Sequence, residues 1–289
     1  MYTVSLIAGP NGLDQALAER LCTALTGQAV AWLSPAEAAE FTVDSMPGHL
    51  WEIWEEAYAH RVDLVLQKTQ GRRKSMLLAD MDSTMIGQEC IDELADEAGV
   101  GDHVKDITAR AMNGELNFEA ALIERVGLLK GLDAGIIQRV FEDRITFTPG
   151  GKTLIATMKA NSGYAALVSG GFTAFTARVA KALGFDEHRA NTLLEEDGRL
   201  TGEVGRPILG REAKVEALHA IAKARGLTPQ DVIAVGDGAN DLGMLGLAGS
   251  GVALHAKPVV AAECDIRINH GDLSALLYLQ GYRRDQFVE

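Results

Sequence analysis

The order of apolar and polar positions changes character partway along the chain. Up to residue 70 the apolar residues form short runs and helical stripes. Thr3–Ala8 reads as a strand, Gly9-Pro10-Asn11-Gly12 as a turn, and Leu13–Leu25 as a helix with Leu17, Leu21 and Leu25 on one face. Ala29–Leu33 and Phe41–Val43 read as short strands. His49–His60 reads as a helix carrying Leu50, Ile53, Trp54 and Ala57 on one side, and Val62–Leu66 as a closing strand. The order β-α-β-β-α-β predicts a small ferredoxin-like α+β sandwich. Gln70-Gly71-Arg72-Arg73-Lys74 is polar and basic and predicts a linker, which sets a first domain at 1–70 and a second at 75–289.

From Ser75 onward, unbroken apolar strands alternate with helices. Met76–Ala79, Tyr164–Val168, Val232–Val235 and Gly251–Leu254 are the strands, with Ile266–Ile268 a weaker one. Short apolar runs without alternation suit strands buried on both faces, so this half predicts a parallel sheet between helical layers. The stretch Gln88–Phe141 is helical throughout, in four groups beginning Ile91/Leu94, Val104/Ile107, Phe118/Leu122 and Ile136/Ile137. It predicts a helical cap, about 88–145, inserted after the first strand of the sheet. Asp197-Gly198 between β-prone flanks in Thr192–Val204 predicts a hairpin.

Composition narrows the classes. With 289 residues and 47% hydrophobic, the chain can bury two cores, and a mean hydropathy of +0.04 suits an aqueous protein. Lysine and arginine total 27 against 40 acids, a formal charge of −13. Net repulsion therefore argues against nucleic-acid partners and against anionic membrane surfaces. The N-terminal apolar run Val4–Ala8 is too short for a signal sequence or a span. Cys22, Cys90 and Cys264 are odd in number and unpaired in spacing, which predicts reduced thiols in a cytoplasmic protein.

The candidate chemistry lies at strand ends, where open parallel sheets bind ligands. Asp80-Met81-Asp82-Ser83-Thr84 follows the first strand directly; the plain alternative is a solvated loop in which Asp82 or Ser83 caps a helix. Val168 leads into Ser169-Gly170-Gly171, a Gly-rich turn before a helix bearing Phe172, Phe175 and Val179, which would offer backbone N–H groups to an anion. Lys214 lies near the start of an amphipathic helix. Val235 leads into Gly236-Asp237-Gly238-Ala239-Asn240-Asp241, whose oxygens suit a hard cation such as Mg²⁺. Two acids, an anion nest, a lysine and an acidic cluster are what phosphoryl transfer through an aspartyl-phosphate demands. Asp80 would be the nucleophile, and Asp82, two residues on, could protonate a leaving alkoxide and later deprotonate water.

These four segments resemble the motifs of the haloacid dehalogenase superfamily. The similarity is closer to its phosphoserine phosphatase family, through Asp80–Ile86 with Glu89, Ile107–Glu115, Arg125-Val126, Leu128–Gly131, Ala190-Asn191 and Leu200-Thr201-Gly202. It covers roughly residues 75–275, with Met85 where Leu is expected. The resemblance implies a Rossmannoid α/β core with a helical cap, and Mg²⁺-dependent hydrolysis of O-phospho-L-serine. It implies Ser169, Gly170 and Lys214 on the phosphate, and Mg²⁺ on Asp80, the Asp82 carbonyl and Asp237, with Asp241 in support. Asn240 would touch substrate or phosphate, Glu89 the substrate ammonium and Arg125 its carboxylate, while Met112 and Phe118 would line the apolar side of the closed pocket. The N-terminal unit resembles amino-acid-binding ACT modules in its order of elements alone.

Competing motifs fail on spacing. Pro149–Thr153 lacks the first glycine of a phosphate-binding loop, since position 146 is Thr. Gly236-x-Gly238 lacks the third dinucleotide-fingerprint glycine, and Ser169 lacks the glycine of a nucleophile elbow at 167. The seven histidines show no ligand spacing. The rival readings are a related phosphotransferase, a phosphatase for another small phosphomonoester, or a regulatory binding protein. A small-molecule substrate is the expected partner, with a homodimer possible.

Overall fold

The computed structural model describes residues 1–112 and 115–289. Residues 2–68 form an antiparallel sheet of β1 (Tyr2–Ile7), β2 (Ala31–Ser34), β3 (Ala38–Val43) and β4 (Asp63–Lys68) in the order β2-β3-β1-β4, with α1 (Gln15–Ala24) and α2 (Leu50–Ala59) on one face. This is the expected ferredoxin-like arrangement, with β3 longer than its apolar triplet suggested. Period-2 alternation divides its side chains. Val4, Leu6, Phe41 and Leu64 pack on α1 and α2, while Ile7, Ala38 and Val65 join the core of the larger unit.

The segment 70–74 is tied down on both sides. Arg72 forms a two-pronged bridge to Glu40 (2.6 and 2.9 Å), and the Lys74 ammonium donates to the Gln230 carbonyl (2.8 Å). Next to it, the buried Asp63 carboxylate accepts the backbone N–H groups of Asn269 (2.8 Å), His270 (3.0 Å) and Gly271 (2.8 Å).

The second sheet contains β5 (Met76–Ala79), β6 (Tyr164–Phe172), β7 (Glu187–Asn191), β10 (Val232–Gly236), β11 (Ser250–Leu254) and β12 (Ile266–Ile268). All are parallel, in the order β12-β11-β10-β5-β6-β7. Every residue of β5 and β10 is buried, which is why both read as unbroken apolar runs. Beyond β5 the chain builds outward through β6 and β7, then returns to build the other way through β10. β5 therefore flanks the topological switch point where α/β sheets bind ligands. Helices α7 (Gly151–Ala160), α8 (Thr173–Leu183), α9 (Arg211–Ala224), α10 (Leu242–Leu247), α11 (Pro258–Glu263) and α12 (Ala275–Leu279) complete this unit.

Between β5 and α7 the described residues form four cap helices: α3 (Cys90–Glu97), α4 (Gly101–Met112), α5 (Phe118–Gly127) and α6 (Ile136–Arg144). A two-stranded ribbon joins them to the core, with Gly87 N–H donating to Thr146 O (2.9 Å) and Thr148 N–H to Met85 O (3.0 Å). The hairpin of β8 (Leu193–Glu196) and β9 (Arg199–Val204) turns at Asp197-Gly198, with φ of 50° and 73° as a type I′ turn requires. It docks on the cap through Gly131 N–H to Leu200 O (2.8 Å) and Leu200 N–H to Leu132 O (2.9 Å).

Two local expectations are corrected. Ser169-Gly170-Gly171 is an irregular end of β6 rather than a tight turn, and α8 begins only at Thr173, with Phe172 preceding it. The Gly171 N–H is already used by the Ser169 hydroxyl (2.9 Å), so it is not a free anion donor. Strand β7 was not anticipated. Its sequence, Glu-His-Arg-Ala-Asn, belongs to a sheet edge where charged side chains reach water, and it leaves no apolar signature.

Candidate active site

Strand β5 ends by delivering Asp80 into a buried ion cluster. The Asp80 N–H donates to Val235 O (3.0 Å), which locks the loop to β10, and the carboxylate accepts the Met81 N–H (2.7 Å). The Lys214 ammonium, 1% exposed, reaches from α9 to Asp80 (2.8 Å) and to Asp241 (2.6 Å). Asp241 also accepts the N–H groups of Asp237 (3.2 Å) and Gly238 (3.0 Å). Asp237 accepts the Thr84 hydroxyl (3.1 Å) and pairs with Lys257. Burial, then the neighbouring Asp241, pushes the Asp80 carboxyl well above its ordinary range, with Lys214 opposing. Burial works against the Lys214 ammonium, but Asp241 and Asp80 hold it above its usual value.

This donor set fits a divalent cation. One oxygen from each of Asp80, Asp237 and Asp241 lies within 4.8 Å of the others, all three residues are buried, and oxygen-only ligands are what Mg²⁺ prefers. The Asp82 side chain is outside that group and turns toward the cap. There it accepts the N–H of Cys90 (3.0 Å), the first residue of α3, and faces the Ser169 hydroxyl at 3.5 Å. A carboxylate at this place complements the positive end of a helix. Asp82 therefore anchors the first turn of α3 from inside the site, with Glu89 as the N-cap residue, and the solvated capping loop of the plain reading is not what forms.

Above the strand ends, the cap and β6 enclose a cavity of about 30 Å³ lined by Asp80, Asp82, Glu89, Phe118, Arg125, Ser169, Gly170 and Asn240. Eight of the expected residues thus meet around one space, and Lys214, Asp237 and Asp241 stand next to it in the ion cluster. The Met112 side chain lies outside the described residues. Phe118 explains the glycine at 170: a Cβ there would sit 2.6 Å from its ring. The Asn240 side-chain oxygen is buried and unpartnered among the described residues, as a ligand contact would be. Glu89 accepts the Ser83 hydroxyl (2.6 Å); burial, then Asp82 and Asp237, pushes its carboxyl up to about 8. Arg125, 2% exposed, donates to Ala121 O (3.1 Å) and to the Thr108 hydroxyl (2.9 Å).

Sequence reasoning missed Lys257, the holding roles of Ser83 and Thr84, and the support behind Arg125. Lys257 was within reach, since it follows the end of β11 and strand ends carry the chemistry here.

Residues 77–246 match the family described as haloacid dehalogenase-like hydrolase. The chain is 44% identical over 223 residues to the phosphoserine phosphatase of Archaeoglobus fulgidus, covering 76% of this chain and 64% of that protein, so it spans less than two thirds of that relative. It is 44% identical over 207 residues to the phosphoserine phosphatase of Methanocaldococcus jannaschii, covering 71% of this chain and 97% of that one. A solved HAD family hydrolase from Salmonella enterica serovar Typhi superposes with a TM-score of 0.86 at 30% identity, covering 96% of this chain and 97% of its own.

Proposed function

The chain belongs to the haloacid dehalogenase-like hydrolases, and on that premise we propose that it hydrolyses O-phospho-L-serine to L-serine and phosphate, with Mg²⁺ as its cation. The observation that carries the reading is the meeting in one cavity of Asp80 and Asp82 with a carboxylate and a guanidinium, Glu89 and Arg125, from the cap. A zwitterionic head group needs one anion and one fork-shaped cation. Phosphoserine phosphatases from two archaea share 44% of their aligned residues with this chain, which supports the same choice.

Asp80, Asp237 and Asp241, with the Asp82 carbonyl, would hold the cation; when bound, it offsets the repulsion between carboxylates and phosphate. An Asp80 oxygen attacks phosphorus, forming an O–P bond as the seryl O–P bond breaks. Asp82, as the carboxylic acid, gives its proton to the departing serine oxygen. Burial raises its pKa, which favours the protonated form needed for this step. The Asp82 carboxylate then takes a proton from water, whose oxygen attacks phosphorus and releases Asp80. Ser169, Gly170, Lys214 and Asn240 surround the phosphoryl oxygens. Phe118 closes the apolar side and excludes bulk water from the first step. We place this activity in residues 75–289, in the cytoplasm, and read residues 1–70 as an ACT-like unit.

The test is phosphate release from O-phospho-L-serine with Mg²⁺, repeated after chelation and with Asp80→Asn. Release should cease on chelation, and Asp80→Asn should lose at least ~10³ in kcat because the nucleophile is gone. An acid-quenched acyl-phosphate mapped to any other residue would overturn the assignment.

A further inference from the structure

Resting on that reading, we propose that Asp92 and Thr108 are positioning residues that fix the distance between the ammonium and carboxylate subsites by holding Arg125 through a hydroxyl relay. Arg125 donates from Nη1 to the Thr108 oxygen (2.9 Å), and the Thr108 hydroxyl donates to Asp92 Oδ1 (2.6 Å). The relay ties three cap helices, since Asp92 is on α3, Thr108 on α4 and Arg125 on α5. Thr108 and Arg125 are 3% and 2% exposed, and Asp92, at the outer end of the relay, is half-buried.

The placement of Asp92 gives the relay its consequence. Glu89 immediately precedes α3 and Asp92 lies in its first turn, with the Asp92 N–H donating to Glu89 O (3.0 Å). One helix start therefore positions the group facing a substrate ammonium and also the anchor of the group facing its carboxylate. Spacing between the two charges is then a property of the cap's own packing, present before any ligand arrives.

The interposed hydroxyl also keeps the guanidinium available. A carboxylate paired directly with Arg125 would take the two-pronged edge that recognises carboxylates. Among the described residues Arg125 donates to the Ala121 carbonyl and the Thr108 hydroxyl, neither of them a carboxylate. Asp92 and Glu89 still favour the buried cation from a distance, against the burial that disfavours it. The relay thus supplies negative charge through a hydroxyl while leaving Nη2 to the substrate.

The test compares kcat/KM for O-phospho-L-serine and for phosphoethanolamine, which lacks the carboxylate, on the unmutated protein, Thr108→Val, Thr108→Ser and Asp92→Asn. Thr108→Val should lose ~10–30-fold for phosphoserine, mostly in KM, and less than ~2-fold for phosphoethanolamine. Thr108→Ser keeps the hydroxyl and should return to within ~3-fold, and Asp92→Asn should lose ~3–10-fold for phosphoserine alone. Equal losses on both substrates, or a serine variant as poor as the valine one, would overturn the relay. If Thr108→Val does not fold, Asp92→Asn decides by the same substrate contrast. An unmutated enzyme that turns over both substrates equally would instead overturn the phosphoserine reading, and the relay with it.

Discussion

At the strand ends buried charge meets buried charge directly: Lys214 lies 2.8 Å from Asp80 and 2.6 Å from Asp241, and Lys257 pairs with Asp237. In the cap, the acid and the guanidinium facing the cavity have neutral partners instead, Glu89 the Ser83 hydroxyl (2.6 Å) and Arg125 the Thr108 hydroxyl (2.9 Å) and the Ala121 carbonyl (3.1 Å). The two arrangements suit two tasks. Direct pairs let a cluster of acids stay buried in fixed positions, as chemistry on a phosphoryl group requires. Hydroxyl contacts orient a group without pairing it with an opposite charge, so a ligand supplies that partner; burial pushes the Glu89 carboxyl up to about 8, and a ligand ammonium would restore its charged form.

Removing a direct partner should have the largest effect. Lys214→Met leaves Asp80 and Asp241 facing each other without the ammonium between them. Turnover of phosphoserine should fall by ~10²–10³ in kcat, because a buried cation aimed at the reacting charge is lost. The same loss should appear with phosphoethanolamine, since the strand-end cluster touches the part that the two substrates share. A loss confined to phosphoserine would show that the core also reads the head group and would break the division between the regions.

The cap should respond in the opposite pattern. Arg125→Ala should cost ~30–150-fold in kcat/KM for phosphoserine, as expected for one desolvated charged contact. Phosphoethanolamine should change by less than ~2-fold, having no carboxylate to lose. Arg125→Lys keeps the charge and loses the fork, so it should remain damaging. Steady-state kinetics with both substrates separates these outcomes. A full rescue by lysine would mean that charge alone, without the geometry provided by Thr108, selects the substrate.

The same contrast explains what could be read from sequence. Asp80, Asp82, Asp237 and Asp241 are legible because each follows a strand buried on both faces, and such strands are unbroken apolar runs. Glu89 caps one amphipathic helix and Arg125 sits on another, where a charge ordinarily means a solvated face; only the resemblance singled them out. Strand β7 left no signal because an edge position tolerates Glu187, His188 and Arg189. Asp92 and Thr108 were invisible for a different reason. Their role depends on which helix faces meet in the cap, and helical periodicity specifies a face without naming its neighbour. The basic segment 70–74 read as a linker because its charges find partners, such as Glu40 and the Gln230 carbonyl, far away in sequence.

The smallest expected effect sharpens the comparison most, because it separates a hydroxyl's contact from the backbone that presents it. Ser83 holds Glu89 from a left-handed conformation, φ 53°, where a side chain is strained and glycine is not. Ser83→Ala and Ser83→Gly both remove the hydroxyl, so both should raise KM for phosphoserine by a similar ~3–10-fold. Their stabilities should differ. Glycine relieves the strain, worth ~1–2 kcal/mol, against ~0.4–1 kcal/mol for the added freedom of the unfolded chain. The glycine variant should therefore melt above the alanine variant, by ~1–3 °C in a chain of this size. Thermal unfolding and KM measured on the same two proteins check both halves. Should KM follow the melting temperature, recovering in glycine and not in alanine, then Glu89 is placed by the backbone turn and the hydroxyl is incidental. Should KM stay equally poor while the melting temperatures part, the hydroxyl is what holds Glu89 open to the substrate.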